Sequence, residues 1–191
     1  MNLVERVRRI LLTPREEWQV IDTEPATPSS LYTGYIMPLA AIGPIAQVIG
    51  YSVFGVSFLG TTYRTPLGTA ITGAIVSYAL MLVGVFVLAL VIDWLAPTFG
   101  GTRNQIQALK VSAYASTASW LAGVFAILPG LRVLGILGLY SLYLLYLGLP
   151  VLMKTPAERA MGYTVLVVIA AVVLFMLVGL VAGALVAPAF G

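Results

Sequence analysis

Five long apolar stretches fill most of the chain after residue 30, and few charged side chains interrupt them. They cover residues 31–53, 67–95, 105–128, 131–153 and 162–187. A helix needs about 20 apolar residues to cross a hydrocarbon core of roughly 30 Å. Runs such as residues 165–175 are continuously apolar and lack the alternation of transmembrane β-strands. The pattern therefore predicts an all-α fold, a polytopic bundle of five transmembrane helices.

The first 28 residues carry a different, amphipathic pattern. One face of a helix over residues 2–12 holds the apolar side chains Leu3, Val7, Ile10 and Leu11. Such a basic helix can lie in the plane of the lipid headgroups, or it can pack on the cytoplasmic side of the protein's own bundle. The sequence leaves both arrangements open. It predicts two parts, an amphipathic helical arm over residues 1–28 and a transmembrane domain over residues 29–191.

Capping patterns and prolines predict where helices begin and bend. Thr13-Pro14-Arg15-Glu16 is typical of a helix start and predicts a second helix in the arm. Thr155-Pro156-Ala157-Glu158 repeats the pattern and predicts the start of the last helix. Pro38 and Pro44 lie inside the first span, which is therefore expected to be kinked or, alternatively, re-entrant.

Composition limits the chemistry open to this chain. Hydrophobic residues make up 60% of it and charged residues 9%, and it contains no cysteine and no histidine. The lack of histidine removes the commonest acid–base group and metal ligand. The basic residues form no stripe with interleaved aromatics, as they do on nucleic-acid-binding surfaces. We therefore expect a non-enzymatic protein with no cofactor, no metal ion and no nucleic-acid partner.

The positions of the ten basic residues predict the orientation of the chain. Lys and Arg near the ends of spans favour the cytoplasmic side of a membrane. With the N-terminus inside, eight of the ten lie inside, and Arg64 and Arg132 lie outside. The reversed chain would place two inside and eight outside. The count therefore predicts a cytoplasmic N-terminus and an external C-terminus.

Four side chains of the arm are candidates for contact with lipid or with a partner protein. Arg6, Arg8 and Arg9 can meet lipid phosphates or an acidic partner. Trp18 can anchor the arm at the membrane interface or pack against the bundle. The sequence favours neither role for Trp18 over the other.

Asp93 and Lys110 lie near the cytoplasmic ends of adjacent predicted spans that a short turn joins. Ionisable groups at membrane depth often mark functional sites, so a pair here could carry a proton or hold a gate. A salt bridge that fastens the two helices explains the same pattern. So does snorkelling of each side chain to water.

Polar and small residues inside the spans give further candidates. Ser112, Ser116 and Ser119 recur at helical spacing, which suits either a polar path or close helix packing. Tyr143 lies near the middle of its span, where its hydroxyl needs a hydrogen-bond partner. The Gly-x-x-x-Gly motif at residues 179–183 suits a dimer seam, and packing within one chain explains it equally well.

Several stretches resemble the bacterial and archaeal members of the Yip1 domain family. Phe99-Gly100-Gly101 is similar to that family's Gly-Gly break after the second span, and residues 110–114 are similar to the entry into its third. Residues 140–153 resemble the family's most recognisable stretch, and Tyr163-Thr164 continue it. The resemblance covers about residues 5–185.

The resemblance implies five spans, a cytosolic N-terminus and a place in the plasma (inner) membrane of a prokaryote. Eukaryotic relatives engage Rab GTPases and have a long cytosolic N-terminus, whereas this chain has only about 30 residues there. A proline that family members often carry after the third-span tyrosine is absent from residues 116–119. The resemblance brings no assigned activity and no catalytic residue.

From the sequence we therefore expect an integral membrane protein that organises the membrane or partner proteins. Membrane lipids and a second copy, or another membrane protein, are the expected partners. The alternative is a small transporter or channel with a polar path near Asp93, Lys110 and the serines of the third span.

Overall fold

The computed structural model describes residues 2–58 and 61–186, with the backbone alone described for residues 56–58 and 184–186. Helices form nearly all of this part of the chain, and the predicted all-α class is confirmed. Two short antiparallel strands, β1 (Val56–Phe58) and β2 (Thr61–Tyr63), pair in the loop after the first span. The apolar pattern gave no sign of this small hairpin.

The described helices follow the predicted order along the chain. They are α1 (Leu3–Leu12), α2 (Pro14–Thr23), α3 (Pro28–Phe54), α4 (Leu67–Leu95), α5 (Gln105–Ala115), α6 (Thr117–Ala122), α7 (Tyr140–Leu152) and α8 (Ala157–Val186). Three 3₁₀ segments lie between helices of the described chain, at Ala96–Phe99, Gly123–Ile127 and Pro129–Leu139.

Four segments of the described chain are long and apolar enough to cross a membrane. They are Pro28–Phe54, Leu67–Phe99, Pro129–Leu152 and Ala157–Gly183, and they coincide with four of the five predicted spans. The other predicted span, residues 105–128, is divided at Ser116 between α5 and α6. Ser116 Oγ donates a hydrogen bond to the Ser112 carbonyl at 2.7 Å, a bond back along the helix that bends it. Helix length and hydropathy thus support four spans and leave the fifth unconfirmed.

The first span, α3, is irregular along its length, as its prolines predict. It consists of α-helical turns at Pro28–Leu31, Met37–Ala40 and Ile42–Ile49 and π-helical turns at Tyr32–Ile36 and Gly50–Phe54. The first π-helical turn comes just before Pro38, which has no amide hydrogen to continue an α-helical ladder. The Tyr32 hydroxyl donates to the Leu82 carbonyl of α4 at 2.8 Å, and this bond fastens the irregular turn to a regular neighbour.

The span before α8 differs from the single α-helix that its apolar pattern predicts. Its first half, Pro129–Leu139, is a 3₁₀ helix, although runs longer than three or four residues are uncommon. Three glycines lie in this half, and Gly138 packs tightly on α6. A Cβ at Gly138 would lie 3.2 Å from Ser119 Cα. Gly138 therefore allows a close approach to α6 that a Cβ would crowd.

The N-terminal hairpin, which we define as α1 and α2, shares the core of the bundle. Ile10, Trp18 and Ile21 are buried in the same apolar cluster as Ile92 of α4 and Leu149 of α7. The rest of the predicted apolar face packs partly buried against this cluster, namely Leu3, Val7 and Leu11. Of the two arrangements that the amphipathic pattern left open, the structure has the arm packed on its own bundle.

Candidate functional site

The hairpin lies alongside α7 over the whole length of that helix. At the start of α7 the Tyr140 hydroxyl donates to the Leu11 carbonyl at 3.0 Å. Just beyond its end, Lys154 Nζ lies 2.5 Å from Asp22 Oδ2. The 13 residues of α7 correspond to roughly 20 Å of helix. The hairpin therefore covers a long strip of a membrane-spanning segment and does not lie flat across its end.

Trp18 is the apolar anchor of the hairpin. Its side chain is fully buried, and its ring fills the space that Gly148 leaves on α7. A Cβ at Gly148 would lie 2.7 Å from the nearest ring carbon of Trp18, closer than any van der Waals contact allows. Tyr114 of α5 meets the same indole edge-on, with the two ring centroids 6.3 Å apart. The indole is thus clamped between α5 and α7.

A buried ionic cluster joins the two helices of the hairpin. Arg6 of α1 donates to the carboxylates of both Glu17 and Glu24, and Arg9 Nε lies 2.7 Å from Glu17 Oε2. The Glu17 side chain is completely buried. Burial lowers the pKa of Arg6, but the hydrogen bond to Glu24 and the nearby negative charges outweigh this effect and hold the pKa above its ordinary value. Arg6 is therefore a permanent cation, and Glu17 is its buried counter-ion.

The end of α2 is held by side chains from the bundle. Lys110 Nζ of α5 donates to the carbonyls of Ile21 at 2.8 Å and Glu24 at 2.6 Å. Gln107 Nε2 donates to both the carbonyl and the carboxylate of Asp22, each at 3.0 Å. The last carbonyls of a helix lack partners within it and carry its partial negative charge. Lys110 therefore acts as a charged cap from another element.

Two breaks in the chain meet beside this cap and form what we call the charged end of the bundle, residues 93–104 and 153–159. Gly100 has a positive φ of 74°, which favours glycine. A Cβ at Gly101 would lie 2.6 Å from the Met153 carbonyl oxygen, and the Thr102 amide donates to that same oxygen at 2.8 Å. The two glycines are therefore required by a turn and by a close backbone approach.

Comparisons with known proteins place the chain in a family. The family model described as the Yip1 domain matches residues 8–180. The chain belongs to the Yip1 domain family. It is similar to the inner membrane protein YohC from the K12 strain of Escherichia coli and from a second Escherichia coli strain, at 32% identity in each case. Each match covers 61% of this chain and 60% of the relative, and no solved structure matches the chain significantly.

Two of the stretches that resemble the Yip1 family, residues 110–114 and 140–153, contact the hairpin. Lys110 caps α2, and Tyr114 contacts Trp18 and lies under the Arg6 guanidinium, 5.6 Å from it to the ring centroid. Gly148 and Tyr140 both lie in the stretch 140–153. Trp18 packs against Gly148, and the Tyr140 hydroxyl donates to α1. In this Yip1 protein those two stretches therefore form the surface on which the N-terminal helices pack.

The four residues predicted to contact lipid or a partner divide into two groups. Arg6 and Trp18 are buried and contact the protein itself, which for Trp18 is the packing alternative that the sequence left open. Arg8 is exposed and Arg9 is partly exposed, although Arg9 also meets Glu17. Of these four described side chains, only that of Arg8 is classed as exposed.

Asp93 and Lys110 are not partners of each other in this structure. Lys110 bonds to backbone carbonyls of the hairpin, and Asp93 Oδ2 lies 3.5 Å from Arg103 Nε. Both side chains are buried, but Asp93 is paired with Arg103, whereas Lys110 caps the end of α2. The sequence could not show this, because the carbonyls that bind Lys110 come from the end of α2, more than 80 residues earlier in the chain.

The predicted serine face both packs helices and lines a cavity. Ser112 Oγ donates to the Val85 carbonyl of α4 at 2.8 Å, and Ser119 Oγ lies 2.9 Å from Ser141 Oγ. A cavity of about 210 Å³ lies beside these residues and is lined by Ser112, Ser116, Ser119 and Ser141 among apolar side chains. Neither Asp93 nor Lys110 lines it. The serines and the ionisable residues therefore belong to separate places.

Two further candidates face away from the described core. Tyr143 is exposed, and its ring packs on that of Tyr140 with centroids 5.4 Å apart. The hydrogen bond predicted for Tyr143 is found instead at Tyr140, one turn earlier. At Gly179 and Gly183 a Cβ would meet nothing within 4 Å among the described residues. Packing within the chain therefore does not explain this glycine motif.

Sequence reasoning missed the acidic half of the site. Glu17 and Glu24 bind Arg6, and Asp22 binds Lys154 and Gln107. The sequence analysis named none of these three acidic residues as a candidate. A signal was present for Glu17: Pro14, Trp18 and Ile21 form the buried face of α2, and Glu17 occupies that face at helical spacing. A carboxylate on a buried face needs a cation, which pointed to the arginines of α1.

Proposed function

We propose that this chain is a non-enzymatic membrane protein whose hairpin is a fixed docking surface for a partner protein at the membrane. The observation that carries the proposal is how firmly the hairpin is held: a buried ionic cluster, a clamped tryptophan and a cap from another element fix two ten-residue helices. Isolated helices of this length are only marginally stable. These contacts therefore serve to hold the surface of the hairpin in place.

The surface on offer is the outer side of the hairpin. Val4 and Leu12 of α1 are 77% and 69% exposed, and Arg8 lies between them at helical spacing and is also exposed. Arg15 and Glu16 continue the exposed side at the start of α2. Apolar anchors beside arginine are typical of the centre of protein interfaces. The expected partner is a membrane protein or a second copy of this chain, with anionic lipid as the neighbour of both.

We propose five spans, with residues 105–128 as the third. Thr102 bonds to Met153 at the charged end, where the span Pro129–Leu152 finishes. The chain must therefore travel from that end to the other, where this span begins. Seventeen α-helical and five 3₁₀ residues provide about 35 Å for the crossing. Burial of residues 108–115 spares α5 from lipid and permits its modest hydropathy.

We also propose that the charged end faces the cytoplasm of a prokaryotic cell, across the inner membrane. The excess of Lys and Arg on that side supports the orientation. The relatives are inner membrane proteins, which supports the location. The chain spans 60% of the length of the relatives it matches, so their location is carried over here as part of the proposal.

Site-specific photo-crosslinking in living cells tests the docking surface. A crosslinking residue replaces Arg8 on the hairpin, and the matched control replaces Arg64, which is exposed at the opposite end. We expect a discrete protein adduct from Arg8 alone, reduced about tenfold by Leu12→Ser because a central apolar anchor contributes 1–2 kcal/mol or more. Equal adduct patterns from both positions would count against a docking surface. So would an adduct whose yield is unchanged by Leu12→Ser.

A small transporter is the second candidate, and the serine-lined cavity of about 210 Å³ is the observation that favours it. Ser116→Leu fills this cavity, whereas Ser29→Leu changes an exposed serine far from it. The measurement is solute or ion flux into proteoliposomes. Flux that is abolished by Ser116→Leu and preserved by Ser29→Leu supports transport. Equal flux through vesicles with and without protein rejects it.

A further inference from the structure

A second, larger cavity lies at the end of the bundle opposite the charged end. It has a volume of about 490 Å³ and opens between the 3₁₀ helix Pro129–Leu139, α6, α7 and α8. Its wall is largely apolar, with Phe125, Leu142, Val172 and Phe175 among the lining residues. Volumes of 300–1,000 Å³ are typical of sites for small ligands. The cavity is therefore large enough for a ligand with a substantial apolar part.

The lining of this apolar cavity includes one cationic side chain, that of Arg132. The guanidinium carbon of Arg132 lies 4.9 Å from the centroid of the Tyr51 ring. Its Nη2 is buried and has no hydrogen-bond acceptor among residues 2–58 and 61–186. A buried guanidinium N–H without an acceptor is costly. The ring interaction stabilises the charge from one side and leaves this donor to be satisfied by an anion.

The position of Arg132 along its span indicates where that anion comes from. It is the fourth residue of the segment Pro129–Leu152, at the level where a span leaves the hydrocarbon for the headgroup region. Arginine at such a position reaches toward lipid phosphates. A free anion would leave the apolar cavity below the guanidinium empty. A lipid carries both a phosphate for the guanidinium and a hydrocarbon chain for the cavity.

The cavity continues toward the middle of the bundle. The serine-lined cavity of about 210 Å³ shares Ser119, Ser141, Leu142, Ala171 and Phe175 with it. The serine hydroxyls at the junction are bonded to each other and to the Gly138 carbonyl, so they present little free polarity to a ligand. The joined space therefore suits an acyl chain that points away from Arg132.

We propose that an anionic glycerophospholipid binds here as a specific ligand, with its phosphate on Arg132 and one acyl chain in the joined cavity. The irregular 3₁₀ helix opens the entrance, because Gly135 carries no side chain and faces open space. This site is independent of the hairpin and of its proposed docking role. A lipid in this place would fill the gap between α6, α7 and α8 that the side chains leave empty.

Native mass spectrometry of the full chain tests the proposal. Delipidated protein in detergent is exposed to phosphatidylglycerol, phosphatidylethanolamine or inorganic phosphate. We expect retained phosphatidylglycerol that Arg132→Gln lowers about tenfold, the value of one charge-assisted hydrogen bond of 1.5 kcal/mol or more. Arg132→Lys should restore part of the retention. Arg64→Gln, the matched change at the other cation predicted for this side, should leave it unchanged.

A second pair of variants tests the acyl-chain half of the site. Gly135→Leu places a side chain in the cavity, whereas Gly130→Leu places one in open space outside the lining. We expect loss of the lipid from the first variant and retention in the second, with both still folded by thermal unfolding. Equal retention by all variants, equal retention of the two phospholipids, or displacement by inorganic phosphate at matched concentration overturns the proposal.

Discussion

At the residue scale, the hairpin depends most on Glu17. Its carboxylate is completely buried and meets Arg6 and Arg9. Removing one partner of a buried ion pair leaves the other charge without compensation, which costs more than the pair itself contributes. Arg6 is also buried and would retain only the carboxylate of Glu24, whose side chain is partly exposed.

We predict that Glu17→Gln destabilises the protein by about 3 kcal/mol. The free energy of unfolding in detergent, followed by denaturant titration, measures the change. Glu16→Gln is the matched control, because Glu16 is the exposed neighbour and substitutions at such positions usually stay within about 0.5 kcal/mol. Equal losses for the two variants would show that Glu17 is not the counter-ion that holds Arg6.

At the element scale, the end of α2 is fastened by two lysines of different burial. Lys110 is 3% exposed and donates to two backbone carbonyls. Lys154 follows α7 in a left-handed conformation, with φ of 55°, and its exposed amine meets Asp22. Exposed ion pairs contribute little, whereas buried carbonyls without a donor are costly. The two lysines therefore hold α2 with different strengths.

We predict that Lys110→Met loosens the end of α2 while the spans stay folded. Hydrogen exchange of the amides of α2 should quicken about tenfold or more, since the carbonyls of Ile21 and Glu24 lose a charged donor worth about 1.5 kcal/mol or more. Exchange in α4 should not change. Lys154→Met is the comparison and should have a much smaller effect. Similar exchange in the two variants would contradict a special role for the cap from α5.

At the scale of the whole molecule, the course of residues 105–128 fixes the topology. If this segment crosses the membrane, Arg64 and Leu131 lie on one side and Arg103 and Lys154 on the other. If it does not cross, Arg103 and Leu131 share a side. The chain contains no cysteine, so single cysteines can report these positions without background.

We predict that Arg64→Cys and Leu131→Cys react with a membrane-impermeant maleimide in intact cells. Arg103→Cys and Lys154→Cys should react only after permeabilisation, as the excess of basic residues at that end requires. Both of the latter side chains are exposed in the fold, so their protection would come from the membrane. Labelling of Arg103→Cys and Leu131→Cys from the same side would reject the five-span arrangement.

Local sequence information predicted the elements better than their contacts. The apolar stretch 67–95 coincides with α4, and the amphipathic face of residues 2–12 is the buried face of α1. The capping pattern at residues 13–16 correctly marks the start of α2, but Thr13 makes no capping bond and its hydroxyl donates to the Arg9 carbonyl instead. A tight turn between two packed helices determined that detail.

The sequence by itself determined that this is a helical membrane protein with an amphipathic start, because apolar length and periodicity act over neighbouring residues. Only the tertiary structure decided which side chains meet. Trp18 reaches Gly148 and Lys110 reaches the end of α2 across distances along the chain that no local pattern spans. Buried charges take whichever partner the packed helices bring within reach, and that depends on how α1, α2, α5 and α7 lie together. The same packing leaves the cavity beneath Arg132.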